Sequence, residues 1–298
     1  MRIGITGATG FIGTHVTQLA TQRGHEVILY SRRARPGRSA LVQPADAPWQ
    51  LPQPERPLDV LLHLAGEPVF GLWTAAKRQR IRDSRVAFTE KLVQHLATWT
   101  QPPAAVLVAS GVGYYGDRED ELLTESSPPG TGFLAEICVG WEAAAKLAKA
   151  RLGARVVCFR TGLVLGNEGG AFPLMRRAFS FGGGGRFGNG RQWMPWIHIA
   201  DEAGLMLWAA ENAKVSGPLN LTAPSPVTNA EFTRTLAQAL RRPAFLNAPS
   251  FALKAALGEL AQEMLLSSQR AQPAAAQAGG YVFQYPALAP ALTQLLKR

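Results

Sequence analysis

The stretch RIGITGATGFIGTHV, residues 2 to 16, constrains what this chain can fold into more than any other. An apolar run of strand length meets Gly7, Gly10 and Gly13. Helical spacing begins at once through Ile12, Val16, Leu19 and Ala20 and ends at Gly24, and EVILYS supplies a second apolar strand. In this setting the glycines let a turn close tightly and let backbone N–H groups approach a pyrophosphate. The helix N-terminus adds unpaired donors and the positive end of its dipole. A glycine pattern alone is weak; between a strand and a helix at the chain start it is specific.

The end of the second strand selects the dinucleotide. An Asp or Glu there would bind the ribose hydroxyls of NAD, but the sequence reads Tyr30-Ser31-Arg32-Arg33. A hydroxyl and guanidinium groups suit a 2′-phosphate through charge-assisted hydrogen bonds, so the expected cofactor is NADP(H). Residues 34 to 57 are rich in Pro, Ala and Arg and hold one short strand. LDVLLHLAG (58–66), AAVLVAS (104–110) and ARVVCFRTG (154–162) read as buried strands. Residues 74–99 and the stretch from Phe133 read as helices. Near-continuous apolar strands alternating with helices mean a parallel sheet covered on both faces. Leu64, Ala65 and Gly66 should pass close to the cofactor ribose.

After about residue 166 the texture turns glycine-rich (GNEGGAF, FGGGGRFGNGRQW). MPWIHIADEAGLMLWAAE then enters a helix, GPLNLTAP forms a strand, and Asn229 is the expected N-cap of a helix in NAEFTRTLAQALRRP. Arg186, Arg191 and Trp193 stand at this glycine-rich entrance, where the two guanidinium groups would meet a substrate phosphate or carboxylate.

The net charge of +10 is spread along the chain, and no recognition motif accompanies it, so no nucleic-acid partner is expected. No apolar run is long enough for a membrane span, no secretory signal opens the chain, and a cytoplasmic location is expected. Cys138 and Cys158 read as small buried residues. No metal spacing and no Gly-x-Ser-x-Gly elbow occur.

GATGFIG, HLAG, the strand ending in Ser110, FRTGLVLG and WIHIAD resemble, in this order, the extended short-chain dehydrogenase/reductase superfamily, its epimerase and dehydratase group. HLAGE, DSRV, SGVGYYG, WEAAA, RTGLVLGNEGGAF, GNGRQWMPWIHIAD, NLTAPSPVTNAEF and GYVFQYPAL make it similar to an atypical epimerase-like subgroup over nearly the whole chain. The resemblance implies an α/β fold, a Rossmann-type doubly wound parallel sheet with a smaller C-terminal substrate lobe. Residues 1–165, with pieces from about 195–225, would bind the cofactor, and 166–298 would form mainly the lobe. The cofactor would touch Gly7, Thr9, Gly10, Phe11, Ile12, Gly13, Ser31, Arg32, Arg33, His63, Leu64, Ala65, Gly66, Glu67, Arg85 and Arg160. Homodimerisation through 74–99 and 133–150 follows by analogy.

The superfamily's catalytic pair, a Tyr and a Lys four residues on, is missing. Tyr30, Tyr114, Tyr115, Tyr281 and Tyr285 are followed four residues later by Ala34, Arg118, Glu119, Tyr285 and Ala289. Where the pair should stand, the helix offers Cys138, Trp141 and Glu142. Ser110 matches the hydroxyl that orients a substrate oxygen, and Tyr114 and Tyr115 are the candidate proton donors. Two functions fit: an oxidoreductase or epimerase on an unidentified small, phosphorylated or nucleotide-linked substrate, and an NADP(H) sensor without chemistry.

Overall fold

The computed structural model describes residues 1–31, 40–42 and 51–297. The chain runs β1 (Arg2–Thr6), α1 (Phe11–Gln22), β2 (Glu26–Ser31), β3 (Ala40–Val42), β4 (Val60–His63) and α2 (Ala75–Arg82). A π-helical turn (Asp83–Ala87) leads into α3 (Phe88–Leu96). Next come β5 (Ala105–Gly111), a 3-10 turn (Val112–Tyr115), β6 (Leu122–Leu123), α4 (Phe133–Leu152), β7 (Arg155–Thr161) and β8 (Leu163–Leu165). Then follow α5 (Phe172–Ser180), β9 (Trp193–Met194), β10 (Trp196–His198), α6 (Ile199–Glu211), β11 (Gly217–Leu221), β12 (Val227–Thr228), α7 (Asn229–Leu240) and α8 (Ser250–Leu257). A second π turn (Ala261–Leu266), β13 (Arg270–Ala271), α9 (Ala274–Ala278) and α10 (Leu288–Leu296) complete it.

The main sheet has the order β11-β7-β5-β4-β1-β2-β3, with every pair parallel. The order reverses between β1 and β4, which opens a crevice at the carboxyl ends of those strands. The strands are apolar throughout because both faces are covered. Ile3, Ile5, Leu62, Leu107, Val157 and Phe159 pack toward α1 and α6. Leu61, Val106, Val108 and Cys158 point the other way, toward Leu92 and Val93 of α3 and Trp141 and Ala145 of α4. Both cysteines are free and buried.

Residues beyond 166 also complete the sheet: β11 is an edge strand and α6 lies against α1. The rest encloses a separate core around Phe172, Trp196, Phe232 and Leu292. The tail is tied back by Asp201, whose carboxylate accepts the N–H groups of Gln284 and Tyr285, both at 2.8 Å. The Asp of WIHIAD therefore anchors the tail, and the cap of α6 is its neighbour His198, which accepts from the Ala200 N–H. The expected cap at Asn229 is corrected. Thr228 caps α7, while Asn229 accepts from the Phe187 N–H in the glycine-rich loop.

Candidate functional site

The turn after β1 is built as its glycines require. Gly7 has φ +72°, and a Cβ there would sit 2.7 Å from the Leu64 carbonyl carbon. A Cβ on Gly13 would lie 2.3 Å from the Gly7 oxygen, so α1 packs onto the turn only through glycine. Gly10 is exposed, and its nearest neighbour would be the same oxygen at 3.2 Å. The first two glycines thus serve the protein's own backbone, and Gly10 leaves an open face. No side chain caps α1, and its first turn has no carboxylate. This bare N-terminus beside exposed Thr9 and Gly10 fits the phosphates of a dinucleotide.

Phe11, expected at the cofactor, has a second task. Its ring lies where side chains on Gly166, Gly169 and Gly170 would otherwise be. The glycines of GNEGGAF are therefore a seat for Phe11, pinning the loop after β8 onto the start of α1. Ile12 is half-buried beside it, and Ser31 ends β2 half-buried. Arg32 and Arg33 lie outside the described residues.

The loop after β4 is held by the π turn. Ser84 Oγ accepts the Glu67 N–H (3.0 Å), and Arg85 Nη1 donates to the Glu67 carbonyl (2.9 Å). The Arg85 guanidinium lies against Gly66 and 5.0 Å from the Trp141 ring centroid. Burial pulls its pKa below the usual arginine value. DSRV and HLAGE are thus two halves of one local structure. Glu67 itself is engaged with Lys77 (2.8 Å), whose hydrogen bond holds its carboxyl below the ordinary range.

Two other expected contacts, His63 and Arg160, are buried. His63 is fully enclosed: Nδ1 meets Thr6 Oγ1 (2.7 Å) and Nε2 meets Thr89 Oγ1 (3.1 Å), which also accepts from Trp141 Nε1. Burial pushes its pKa down to about 3, so it stays neutral and bolts β1, β4, α3 and α4 together under the crevice. Arg160 is equally enclosed. It donates from Nε (2.8 Å) and Nη2 (2.9 Å) to the two oxygens of Glu142, a forked ion pair with both side chains about 3% exposed. That pairing compensates the buried guanidinium inside the protein.

Tyr115 is fully buried. Its hydroxyl donates to Asn220 Oδ1 (2.7 Å) or the Thr124 carbonyl (3.0 Å) and accepts from Arg160 Nη1 (3.1 Å). Burial raises its pKa to about 12. It braces the sheet end and does not face the crevice. Tyr114 is half-buried, its ring centroid 3.4 Å from Arg160 Cζ. Ser110 donates to Glu142 Oε1 (3.1 Å), with the Cys138 thiol beside it. Burial raises that thiol to about 11, so it is a protonated neighbour and no nucleophile. Cys138 and Glu142, four residues apart on α4, both lie beside Ser110. The carboxylate there is neutralised by Arg160.

Arg186 and Arg191 are exposed, while Trp193 is half-buried with its Nε1 donating to Asp120 (2.7 Å). Sequence reasoning missed Arg270, whose Cζ lies 4.5 Å from the Trp193 ring centroid. It also missed Glu263, whose oxygens accept the N–H groups of Phe133 and Leu134 at 2.7 Å each and so cap α4 from the lobe.

A parallel sheet with a reversal crevice, a glycine turn onto a bare helix N-terminus and a serine at the end of β5 define a Rossmann protein of the extended short-chain dehydrogenase/reductase type. The profile of the NAD dependent epimerase/dehydratase family matches residues 3–221, and a domain of unknown function (DUF1731) matches 248–295. The chain belongs to the NAD dependent epimerase/dehydratase family. It is 39% identical to human epimerase family protein SDR39U1 over 99% of this chain and 100% of that one. It is 38% identical to epimerase family protein YfhF of Bacillus subtilis, over 99% and 98%. The crystal structure of human SDR39U1 with NADPH superposes with a TM-score of 0.89 at 38% identity, covering 99% of both chains. A nucleoside-diphosphate sugar epimerase from Corynebacterium glutamicum gives 0.79 at 36% identity, with this chain spanning 58% of that protein.

Proposed function

We propose that this protein binds NADP(H) and acts as an oxidoreductase or epimerase on a small, phosphorylated or nucleotide-linked substrate, with Ser110 orienting the reacting oxygen. The observation that carries the reading is the open cradle at Gly10 and the start of α1, one crevice away from a serine at the carboxyl end of β5. The human relative crystallised with NADPH, 38% identical, supports the cofactor. Ser31 followed by Arg32 and Arg33 supports the 2′-phosphate form. When bound, the nicotinamide gives or takes a hydride. Tyr114 is preferred over Tyr115 as the proton source, because the Tyr115 hydroxyl is committed inside the protein and the Tyr114 hydroxyl has no protein partner among the described residues. Arg85, which lies against Gly66, supplies a cation at the same crevice in a chain that lacks the superfamily's lysine.

Two measurements test this. The R32A/R33A double variant should lose NADPH affinity far more than NADH affinity; equal losses would remove the 2′-phosphate assignment. A panel of carbonyl compounds, followed by NADPH absorbance, should contain one that the wild type reduces and Y114F reduces more slowly. A second reading, an NADP(H) sensor without chemistry, is favoured by the absence of any Tyr-x-x-x-Lys pair from the sequence. NADPH that stays reduced against every compound, while binding remains tight, would select it.

A further inference from the structure

Three phenylalanines are the most exposed aromatic side chains among the described residues, and all belong to the lobe: Phe181 (82%), Phe251 (75%) and Phe245 (71%). Leu174 (68%) and Leu246 (55%) accompany them. Single exposed apolar residues need no explanation, but a group of them marks a contact surface. Local geometry gathers these. α5 buries Phe172 and Phe179 in the lobe core, so its opposite side faces outward, with Leu174 and Arg177 one turn apart and Phe181 at the helix end. Three residues beyond Phe181, the Gly184 carbonyl accepts the Leu246 N–H (3.1 Å), and the Leu246 carbonyl fills the space of a Cβ on Gly185. Phe245 and Leu246 are thereby carried beside the end of α5. A parallel bridge between Phe187 and Ala248 continues this pairing to the start of α8, which bears Phe251 and has no buried residue.

The charge of the same segments is one-sided. Residues 169–200 and 232–258 contain eight Arg or Lys and no Asp or Glu. Arg177, Arg241 and Arg242 are exposed, and among the described residues none of them has an ion-pair partner. A second copy of this chain on this face would set cations against cations. A nucleic acid would use the guanidinium groups and leave the aliphatic Leu174 and Leu246 uncovered. An anionic bilayer surface answers both features: its phosphates meet the arginines, and its headgroup–acyl boundary takes the phenylalanines and leucines. No described helix is long and apolar enough to cross a membrane, and a contact of this kind requires none.

We propose that the lobe face formed by the outer side of α5, the segment after α7 and the start of α8 docks on an anionic lipid surface. Phe181, Phe245 and Phe251 enter the headgroup boundary, and Arg177, Arg241 and Arg242 meet lipid phosphates. The proposal is independent of the cofactor reading and holds whatever the crevice binds.

The test cosediments the full-length protein with vesicles of phosphatidylcholine alone and of equal parts phosphatidylcholine and phosphatidylglycerol. The wild type should pellet with the mixed vesicles and stay in solution with phosphatidylcholine alone, and added salt should weaken the binding by screening the arginines. F181S/F245S should lower partition into the mixed vesicles about tenfold or more through lost apolar contact. R241Q/R242Q should lower it by a similar factor of about ten or more through lost charge. K149Q/R151Q removes the same charge from the end of α4 and should bind as the wild type does. All of the replaced side chains are exposed, so thermal melts should match the wild type, and either lobe variant decides the question if the other misfolds. Wild-type protein that never pellets with the mixed vesicles overturns the proposal. So does full binding by F181S/F245S, or an equal loss in K149Q/R151Q and R241Q/R242Q, since either marks adsorption through net charge alone. A dimer in sedimentation velocity that F181S/F245S breaks would assign the face to a second copy and overturn it as well.

Discussion

At the residue scale, Glu202 carries a pH dependence. Thr161 at the end of β7 donates to its Oε1 (2.9 Å), Oε2 has no partner, and the side chain is fully buried. Burial raises its pKa from 4.5 to about 8, so the folded state holds a proton that the unfolded chain has already lost. Between those values the folded state binds more protons, so stability is whole below 4.5 and falls as pH rises toward 8, by up to about 1.4 kcal/mol per pH unit. E202Q keeps the Thr161 hydrogen bond and removes the ionisation. Urea denaturation across this range should show the wild type losing stability relative to E202Q, and parallel curves would refute it. The glycines give a second residue-scale prediction. G13A drives a methyl into the Gly7 oxygen and should cost about 3 kcal/mol. G10A should cost under about 1 kcal/mol yet weaken NADPH binding about tenfold or more, because the approach it blocks is the ligand's. Fluorescence titration beside denaturant melts separates the two. The glycines were legible because a turn obeys local stereochemistry. The commitment of the Tyr115 hydroxyl was not, since its partner Asn220 is 105 residues away.

At the element scale, the parallel strands announced themselves through unbroken apolar runs, and the helices through their spacing. What the sequence hid were joins between elements. Glu263 caps α4 from a π turn 130 residues downstream, and a Cβ on Gly132 would strike its carboxylate. The usual signal, a Ser, Thr, Asp or Asn just before the helix, is absent there, so the cap could not be read locally. The helix so capped bears Cys138 and Glu142, which couples the lobe to the floor of the crevice. E263A should cost about 1–2 kcal/mol from two lost charge-assisted hydrogen bonds at a helix N-terminus. Hydrogen exchange should speed up at the Phe133 and Leu134 amides and stay unchanged in α1. Uniform loss of protection across both helices would mean that Glu263 supports the fold globally and does not pin α4 to the lobe.

At the scale of the whole molecule, the change of texture near residue 166 marks where lobe material begins but not a line along which the chain can be cut. β11 closes the sheet edge next to β7, α6 covers the face shared with α1, and Tyr281 and Phe283 return from the tail to the same core. Asp201 ties that return to α6, while His198 stacks on Tyr285 at 3.9 Å and meets Gln294 at 2.9 Å. The two cores therefore share their supports, and scanning calorimetry should give one cooperative transition. A ligand that binds only the folded chain shifts this transition as a unit, by about 2.7 kcal/mol at a hundredfold excess over its Kd. NADPH should raise the Tm by several degrees, and NADH at equal concentration by less, because only the former carries the phosphate that Ser31, Arg32 and Arg33 are expected to hold. Two separated transitions, with only the lower one moved by NADPH, would show instead that the lobe unfolds independently of the sheet it helps to build.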